Sequence, residues 1–493
     1  MSRFATNPKV ARKSRSAGDT VNLAGGPAFQ PSAKLELVST MLTSFVQDQY
    51  YRSSSDVLVR ISELLDRVDP LFAAKATLFA RREFGMRSIT HAVAAEVAKR
   101  VKGQPWTRKF FDRAVYRADD AVEILAYYLA KYGKPIPNSL KKGLGAALSR
   151  QDAYALAKYR KEGGLFTLVD VVNLVRPKAT PALTQLMKGT LAPAETWEVK
   201  LTQAGQKEGD EDAVVEAKKE AWVSLVRERK LKYLALLRNL RNIAQQAPEV
   251  LDEALVQLVE PAAVKKALIF PFQVQNALEA VRDGMESVQF RKVSAALSKV
   301  IDLSVANVPV FEGESCVILD VSGSMQGKPA QIGALFTAIL AKAWNADIVV
   351  FDTSAKYVNL NLDDSVFTIA KNIPFTGGGT DLECAFRLLH HLREISVDVP
   401  KAAFRRYARL VVLSDQQNWV SGRTGMQSFE AYCRKAGRRP TVYSWDLNHQ
   451  GSIQFPEDKV YCIAGWSDKV FDLFKALEQD RAALVSRIEA IEL

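Results

Sequence analysis

The chain has 493 residues, 48% hydrophobic and 25% charged, which excludes a disordered or fibrous protein and is too long for a single growing core, so two or more domains are expected. No stretch approaches the roughly 20 apolar residues of a membrane span, and the N-terminus MSRFATNPKVARKSRSAG has no apolar secretory core, so a cytoplasmic protein without a membrane partner is expected. The formal charge of +12 is uneven: Lys and Arg outnumber Asp and Glu by 47 to 33 through residue 310, and fall short by 20 to 22 thereafter.

A basic first part beside a nearly neutral second part points to a polyanion as partner of the first, nucleic acid being the commonest. Cys316, Cys384, Cys433 and Cys462 stand singly, without C-x-x-C pairing, and read as packing thiols in a reducing compartment.

Along the chain, residues 1–20 carry Arg3, Lys9, Arg12, Lys13 and Arg15 against Asp19. This is a flexible basic arm, either lying on phosphates or solvated as a tail. Residues 21–310 form one helical domain. Segments such as LELVSTMLTSFVQ, DVLVRISELLDRV, PLFAAKATLFARREF and AVEILAYYLAKY repeat apolar residues at spacings of three and four between short breaks. Each predicts one amphipathic helix, and their succession predicts an all-α array of stacked pairs. The polar stretch QAGQKEGDEDAVVEAKKEA, residues 203–221, predicts a loop entering a helix.

From residue 311 to 493 the pattern changes. Strand-like ESCVILDVS, ADIVVFDT, YARLVVLSD, PTVYSWDLN and KVYCIAGWS alternate with helical segments, predicting a doubly wound, Rossmann-like α/β domain with a parallel sheet covered on both faces. Such sheets bind ligands at the carboxyl ends of their strands. There the sequence places Asp320-x-Ser322-x-Ser324, then Thr380 in the loop TGGGTD, and Asp415 at the end of VVLSD. Two carboxylates with neutral hydroxyl oxygens suit Mg²⁺, whereas Ca²⁺ takes more carboxylates and Zn²⁺ takes His or Cys. A phosphatase using Asp320 as nucleophile would need a second Asp where Ser322 stands. The run from Gly323 to Pro329 is one residue short of a phosphate loop.

These three parts in this order resemble a von Willebrand factor A domain with a metal-ion-dependent adhesion site. The resemblance implies that Asp320, Ser322, Ser324, Thr380 and Asp415 are metal ligands, directly or through water, around a cation with one position open to a partner's carboxylate. In the helical part, the sequence carries Asn22-Leu23-Ala24-Gly25-Gly26 with Phe29, Arg117-x-Asp119-Asp120, Lys158-Tyr159-Arg160, Leu174-x-Arg176-Pro177-Lys178, Thr196-Trp197-Glu198, Leu236-Leu237-Arg238-Asn239-Leu240-Arg241-Asn242 and Phe270-Pro271-Phe272. Taken in order they resemble the TROVE domain of Ro ribonucleoproteins and of telomerase- and vault-associated proteins. With the A domain behind it, the whole chain is similar to a bacterial-type Ro protein.

That resemblance implies a ring of HEAT-like repeats closed by the A domain, with small noncoding Y RNA on the basic outer surface and 3′ ends of misfolded RNA in the hole. It further implies a non-enzymatic scaffold, monomeric within its ribonucleoprotein, and leaves open an exoribonuclease partner, as bacterial relatives have. Lys158, Arg160 and Lys161 at a helix end, with Arg176 and Lys178, are the candidate phosphate contacts, each otherwise a solvated surface charge. Arg176 stands where many relatives have His, which keeps a cation but loses imidazole stacking. His91 is a candidate for the same surface or a satisfied helix histidine, and Trp197 reads as a plug between repeats. Two other classes compete: a protein-interaction scaffold whose basic charge is incidental, and a Mg²⁺-dependent hydrolase, which lacks a second carboxylate cluster.

Overall fold

The computed structural model describes residues 18–43, 54–160, 166–194, 196–206, 211–267, 269, 271–282, 285–306, 308–391, 405–456, 460–465, 469–480 and 484–493. Most of the basic arm, Lys161, Phe270 and the KEGD junction at 207–210 lie outside them. Gly18 to Thr20, assigned above to that arm, belong to the folded part: Thr20–Val21 (β1) pairs antiparallel with Pro27–Ala28 (β2).

From Ala33 to Val305 the described chain is helical throughout. Local chemistry sets the boundaries. Asp69 caps helix Pro70–Arg82, accepting from the Leu71 amide, with Pro70 at the first position, where its missing N–H costs nothing. The same device then recurs. Asp152, Thr167, Thr180 and Thr196 cap the short helices Ala153–Lys158, Leu168–Val175, Pro181–Lys188 and Trp197–Gly205. At Thr167 the box is reciprocal, Asp170 reaching back to the Thr167 amide at 2.8 Å.

The second part is built on six strands: Ser315–Asp320 (β3), Asp347–Phe351 (β4), Ala355–Val358 (β5), Arg409–Ser414 (β6), Thr441–Asp446 (β7) and Tyr461–Ala464 (β8). Their order is β5-β4-β3-β6-β7-β8. The sheet is mixed rather than wholly parallel, because β5 returns antiparallel along β4 after a short turn. This half-exposed edge strand is absent from the sequence-based expectation, because AKYV is too short and polar to show a buried-strand pattern. The central β3 and β6 are buried along their whole length, as a strand covered on both faces must be. Between them the winding reverses, so the two chain segments leaving β3 and β6 diverge and open a crevice.

The two parts interlock. At one end of the helical array, helix Ala33–Thr43 packs on β8, and at the other, helix Ser287–Val305 packs against helices Lys328–Trp344 and Val366–Asn372. Asp302 accepts from the Val366 amide at 2.9 Å. The chain ends also cross over: Phe29 bridges Ile453, and the C-terminal helix Leu484–Glu489 lies on helix Pro70–Arg82, where Lys34 pairs with Glu489 at 2.5 Å.

Candidate functional site

The crevice at the switch point holds all five residues expected to bind a cation. Asp320 ends β3 and Asp415 follows the last residue of β6; Ser322, Ser324 and Thr380 come from the two loops alongside. None of the five is more than 6% exposed. Backbone bonds fix the loops to one another. The Gly323 amide donates to the Gly378 carbonyl (2.9 Å), that of Gly377 to Val321 (3.0 Å), and those of Trp419 and Val420 to Thr380 (2.9 and 3.0 Å). The approach requires glycine: a Cβ on Gly378 would lie 2.7 Å from Asp352 Oδ2.

The carboxyl groups are only partly satisfied. Asp320 accepts from the Ser322 amide (3.0 Å) and the Ser414 hydroxyl (2.6 Å). Asp415 accepts from the Gln417 amide through Oδ1 (3.2 Å), while its Oδ2 is buried without a partner. The Ser322 and Ser324 hydroxyls lie 3.5 Å apart. Burial pushes both carboxyl groups up from their ordinary range, and Asp415 is raised further by Asp320 beside it. Two buried, mutually repelling carboxylates with an orphaned oxygen and two hydroxyls are what a hard divalent cation would satisfy. Among the described residues no group of three or more His, Cys, Asp or Glu side chains could hold a metal ion; the oxygens gathered here are two carboxyl groups and three hydroxyls.

Sequence reasoning missed three contributors to this crevice. Asp352, after β4, accepts from the Thr376 hydroxyl at 2.5 Å and adds to the repulsion on Asp320. Asn418 fixes the Thr380 loop by accepting from the Leu382 amide at 2.6 Å. The third comes from the far end of the chain: Asn22 donates to the Asn418 carbonyl (2.6 Å), the Leu23 amide donates to Gln417 (2.9 Å), and Ala24 lines the crevice, whose volume is about 520 Å³, with Trp419 opposite the glycine loop. A Cβ on Gly26 would come 2.1 Å from the Asn418 carbonyl oxygen. The NLAGG run is a strap across this crevice, a placement its local sequence does not reveal.

The candidate basic residues separate into different environments. Lys158 ends its helix with its ammonium over the rings of Tyr154 and Tyr159, at 5.7 and 5.6 Å. The Arg117 guanidinium covers Tyr159 at 4.0 Å, and Arg160 is half-buried beside them in sequence. Arg176, in the left-handed conformation (φ 50), ends helix Leu168–Val175; it is exposed, and Lys178 two residues on is exposed as well. Ser149 donates to the Lys178 carbonyl at 3.0 Å, holding that loop to the preceding helix.

His91 must be removed from the surface set. It is 6% exposed, and its Nε2 meets Asp120 Oδ1 at 2.8 Å. Asp120, fully buried, also receives Arg81 (3.0 Å) and the amides of Tyr116 and Arg117 (3.0 and 2.8 Å). Arg81, His91 and the Arg117-x-Asp119-Asp120 run thus form a structural node. Trp197 is half-buried and stacked on the buried Trp222 (6.1 Å, 27°), so it is a plug with one part open to solvent.

A family model for the TROVE domain matches residues 35–208 and 185–307. Telomerase protein component 1 of Mus musculus is 23% identical over 136 residues, which is 26% of this chain and 5% of that protein. The Rattus norvegicus protein of the same name is 24% identical over the same length. The chain thus spans only about 5% of the length of these curated relatives. The crystal structure of the Deinococcus radiodurans RO (RSR) protein shares the fold, with a TM-score of 0.63 at 18% identity over 92% of this chain and 100% of that one.

Proposed function

The chain belongs to the TROVE-domain family, and on that premise we propose that it is an RNA-binding scaffold of a ribonucleoprotein. The helical part binds small structured noncoding RNA of the Y type and receives 3′ ends of misfolded RNA. The observation that carries this is the charge division, with the excess of Lys and Arg confined to residues 1–310, the basic arm and the helical part together. Lys158, Arg160, Arg176 and Lys178 are the described cations assigned to phosphate. Contact of both ends of the helical array with the sheet domain supports closure of the repeats into a ring.

The sheet domain acts, in this reading, as a von Willebrand A-type docking module. Mg²⁺ is held by Asp320, Ser322, Ser324, Thr380 and Asp415, and the cation supplies an open position for a partner's carboxylate, an exoribonuclease being the partner class that fits an RNA-handling scaffold. What supports it is the unpartnered Asp415 Oδ2 in a crevice of hard oxygen donors. The site serves docking rather than hydrolysis.

The test is recovery and sequencing of RNA crosslinked to the purified chain, with binding measured as a function of salt. Affinity should fall steeply, the logarithm of the binding constant dropping by roughly 0.7 to 0.9 per phosphate neutralised for each unit in log salt. Salt-independent retention or absence of crosslinked RNA would sink the reading in favour of the protein-interaction scaffold. RNA degradation that requires Asp320 would overturn the non-enzymatic part.

A further inference from the structure

A second cleft, of about 690 Å³, opens among the capped short helices of the helical part, within the size range of ligand-binding cavities. Its walls bring together residues far apart in sequence: Tyr154 and Lys158 from one helix, Trp197 and Lys200 from another, and Lys230 and Lys232 from the turn before helix Tyr233–Arg238. Aromatic faces and cations are therefore juxtaposed. Tyr154 is 45% exposed, which leaves ring surface open at the cleft. Trp197 is held from behind by Trp222, whose indole donates to Gln246 at 3.0 Å, so its position is fixed by the core. Lys200 is oriented by a 2.5 Å bond to the Ser224 hydroxyl. Lys230 is paired with Glu228 at 2.6 Å, and Lys158, Lys200 and Lys232 bring three further positive charges to the rim.

We propose that this cleft takes an unpaired nucleotide of a single-stranded RNA segment, its base against Tyr154 and Trp197 and its phosphates on Lys158, Lys200 and Lys232. The proposal rests on the RNA-binding reading and deepens it by distinguishing single strand from duplex at one place. Cations alone would hold either form through phosphate. Aromatic faces recessed among them select the form whose bases are free to leave the stack, and every base has a π-face, so the site is sequence-tolerant. A base within a duplex is stacked on both sides and cannot enter.

The full chain would be titrated with a fluorescently labelled 12-nucleotide oligouridine and, separately, with a labelled 12-base-pair RNA duplex, reading anisotropy. Tyr154→Ala is expected to weaken oligouridine binding about tenfold, with Tyr154→Phe restoring it. Lys232→Gln should weaken it as well and reduce the slope of log affinity on log salt by about 0.7, while Lys232→Arg keeps both. Duplex affinity should change less than about twofold in every variant. Both positions are exposed or half-exposed, and an unchanged melting temperature verifies folding. Ultraviolet crosslinking should attach oligouridine to Tyr154 or Trp197. Variants that bind oligouridine like the parent overturn the cleft while leaving the RNA-binding reading intact. So does an equal loss for strand and duplex, which makes the lysines part of a general field. A parent protein that binds neither RNA brings down both readings, and displacement by an acidic peptide without oligouridine binding assigns the cleft to protein.

Discussion

Asp120 and Asp415 are both fully buried carboxyl groups, yet their surroundings drive them in opposite directions. Asp120 receives a guanidinium, an imidazole and two backbone amides, and although burial opposes ionisation, these hold its pKa down at about 2. Asp415 has one amide and the Ser324 hydroxyl as donors and keeps an orphaned oxygen, and burial, reinforced by Asp320 beside it, pushes its pKa up. Burial by itself therefore does not mark a functional site. An unsatisfied buried polar atom is the better pointer to a candidate site, because a bound group could supply the partner that the fold does not.

The sharpest way to break this comparison is to treat the two residues alike. Asp120→Ala strands Arg81 and His91 in the core and should cost about 3 to 5 kcal/mol in denaturant unfolding; a small loss would show that the node is not self-contained. Asp415→Ala should behave differently, relieving repulsion in cation-free protein. It should abolish the stabilisation that Mg²⁺ gives the parent, about 2.7 kcal/mol at a hundredfold excess over the dissociation constant. An equal Mg²⁺ shift of melting temperature in parent and variant would remove the cation from the crevice.

Stability against pH sharpens the same contrast. The Asp120 carboxyl is depressed, so its contribution is present above the ordinary carboxylate range and is lost as pH falls toward about 2, a loss of roughly 2 kcal/mol that Asp120→Asn should not show. Asp320 and Asp415 are raised. Their contribution in chelator-treated protein is present in acid and lost as pH rises through their raised values, and Mg²⁺ should flatten that decline. Thermal melts across pH with and without Mg²⁺ read both limbs. An effect of similar size concerns the strap: Gly26→Ala must displace backbone at Asn418, costing about 1 to 3 kcal/mol. It should also increase protease access near residue 22 and leave RNA affinity unchanged; protection equal to the parent would mean that the strap has another way to sit.

Much of the molecule is legible in the sequence for a physical reason. Helix starts such as Asp152, Thr167, Thr180 and Thr196 are set by bonds spanning two or three residues. The buried central strands announce themselves by unbroken apolar runs. The five residues expected to bind a cation have short side chains at strand ends and in glycine turns, where backbone geometry dictates their place, and so D-x-S-x-S, GGGT and the strand-end Asp can be brought to one crevice from spacing and strand order. The basic residues are less legible, because long side chains on helices do not declare which face they serve. His91 carries no local sign that Asp120, on another helix, claims it.

The sequence by itself determined the helical and α/β parts, the charge division between them, and which short polar side chains stand at the strand ends, all of which depend on near neighbours or on periodicity. Only the tertiary structure decided that β5 turns back antiparallel, that His91 belongs to the core, that NLAGG crosses the chain to line the crevice beside Asp320 and Asp415, and that Tyr154, Trp197 and Lys232 share one cleft. Each of these is a contact between segments whose separation in sequence carries no signal, fixed only when packing of the whole chain closes the distance.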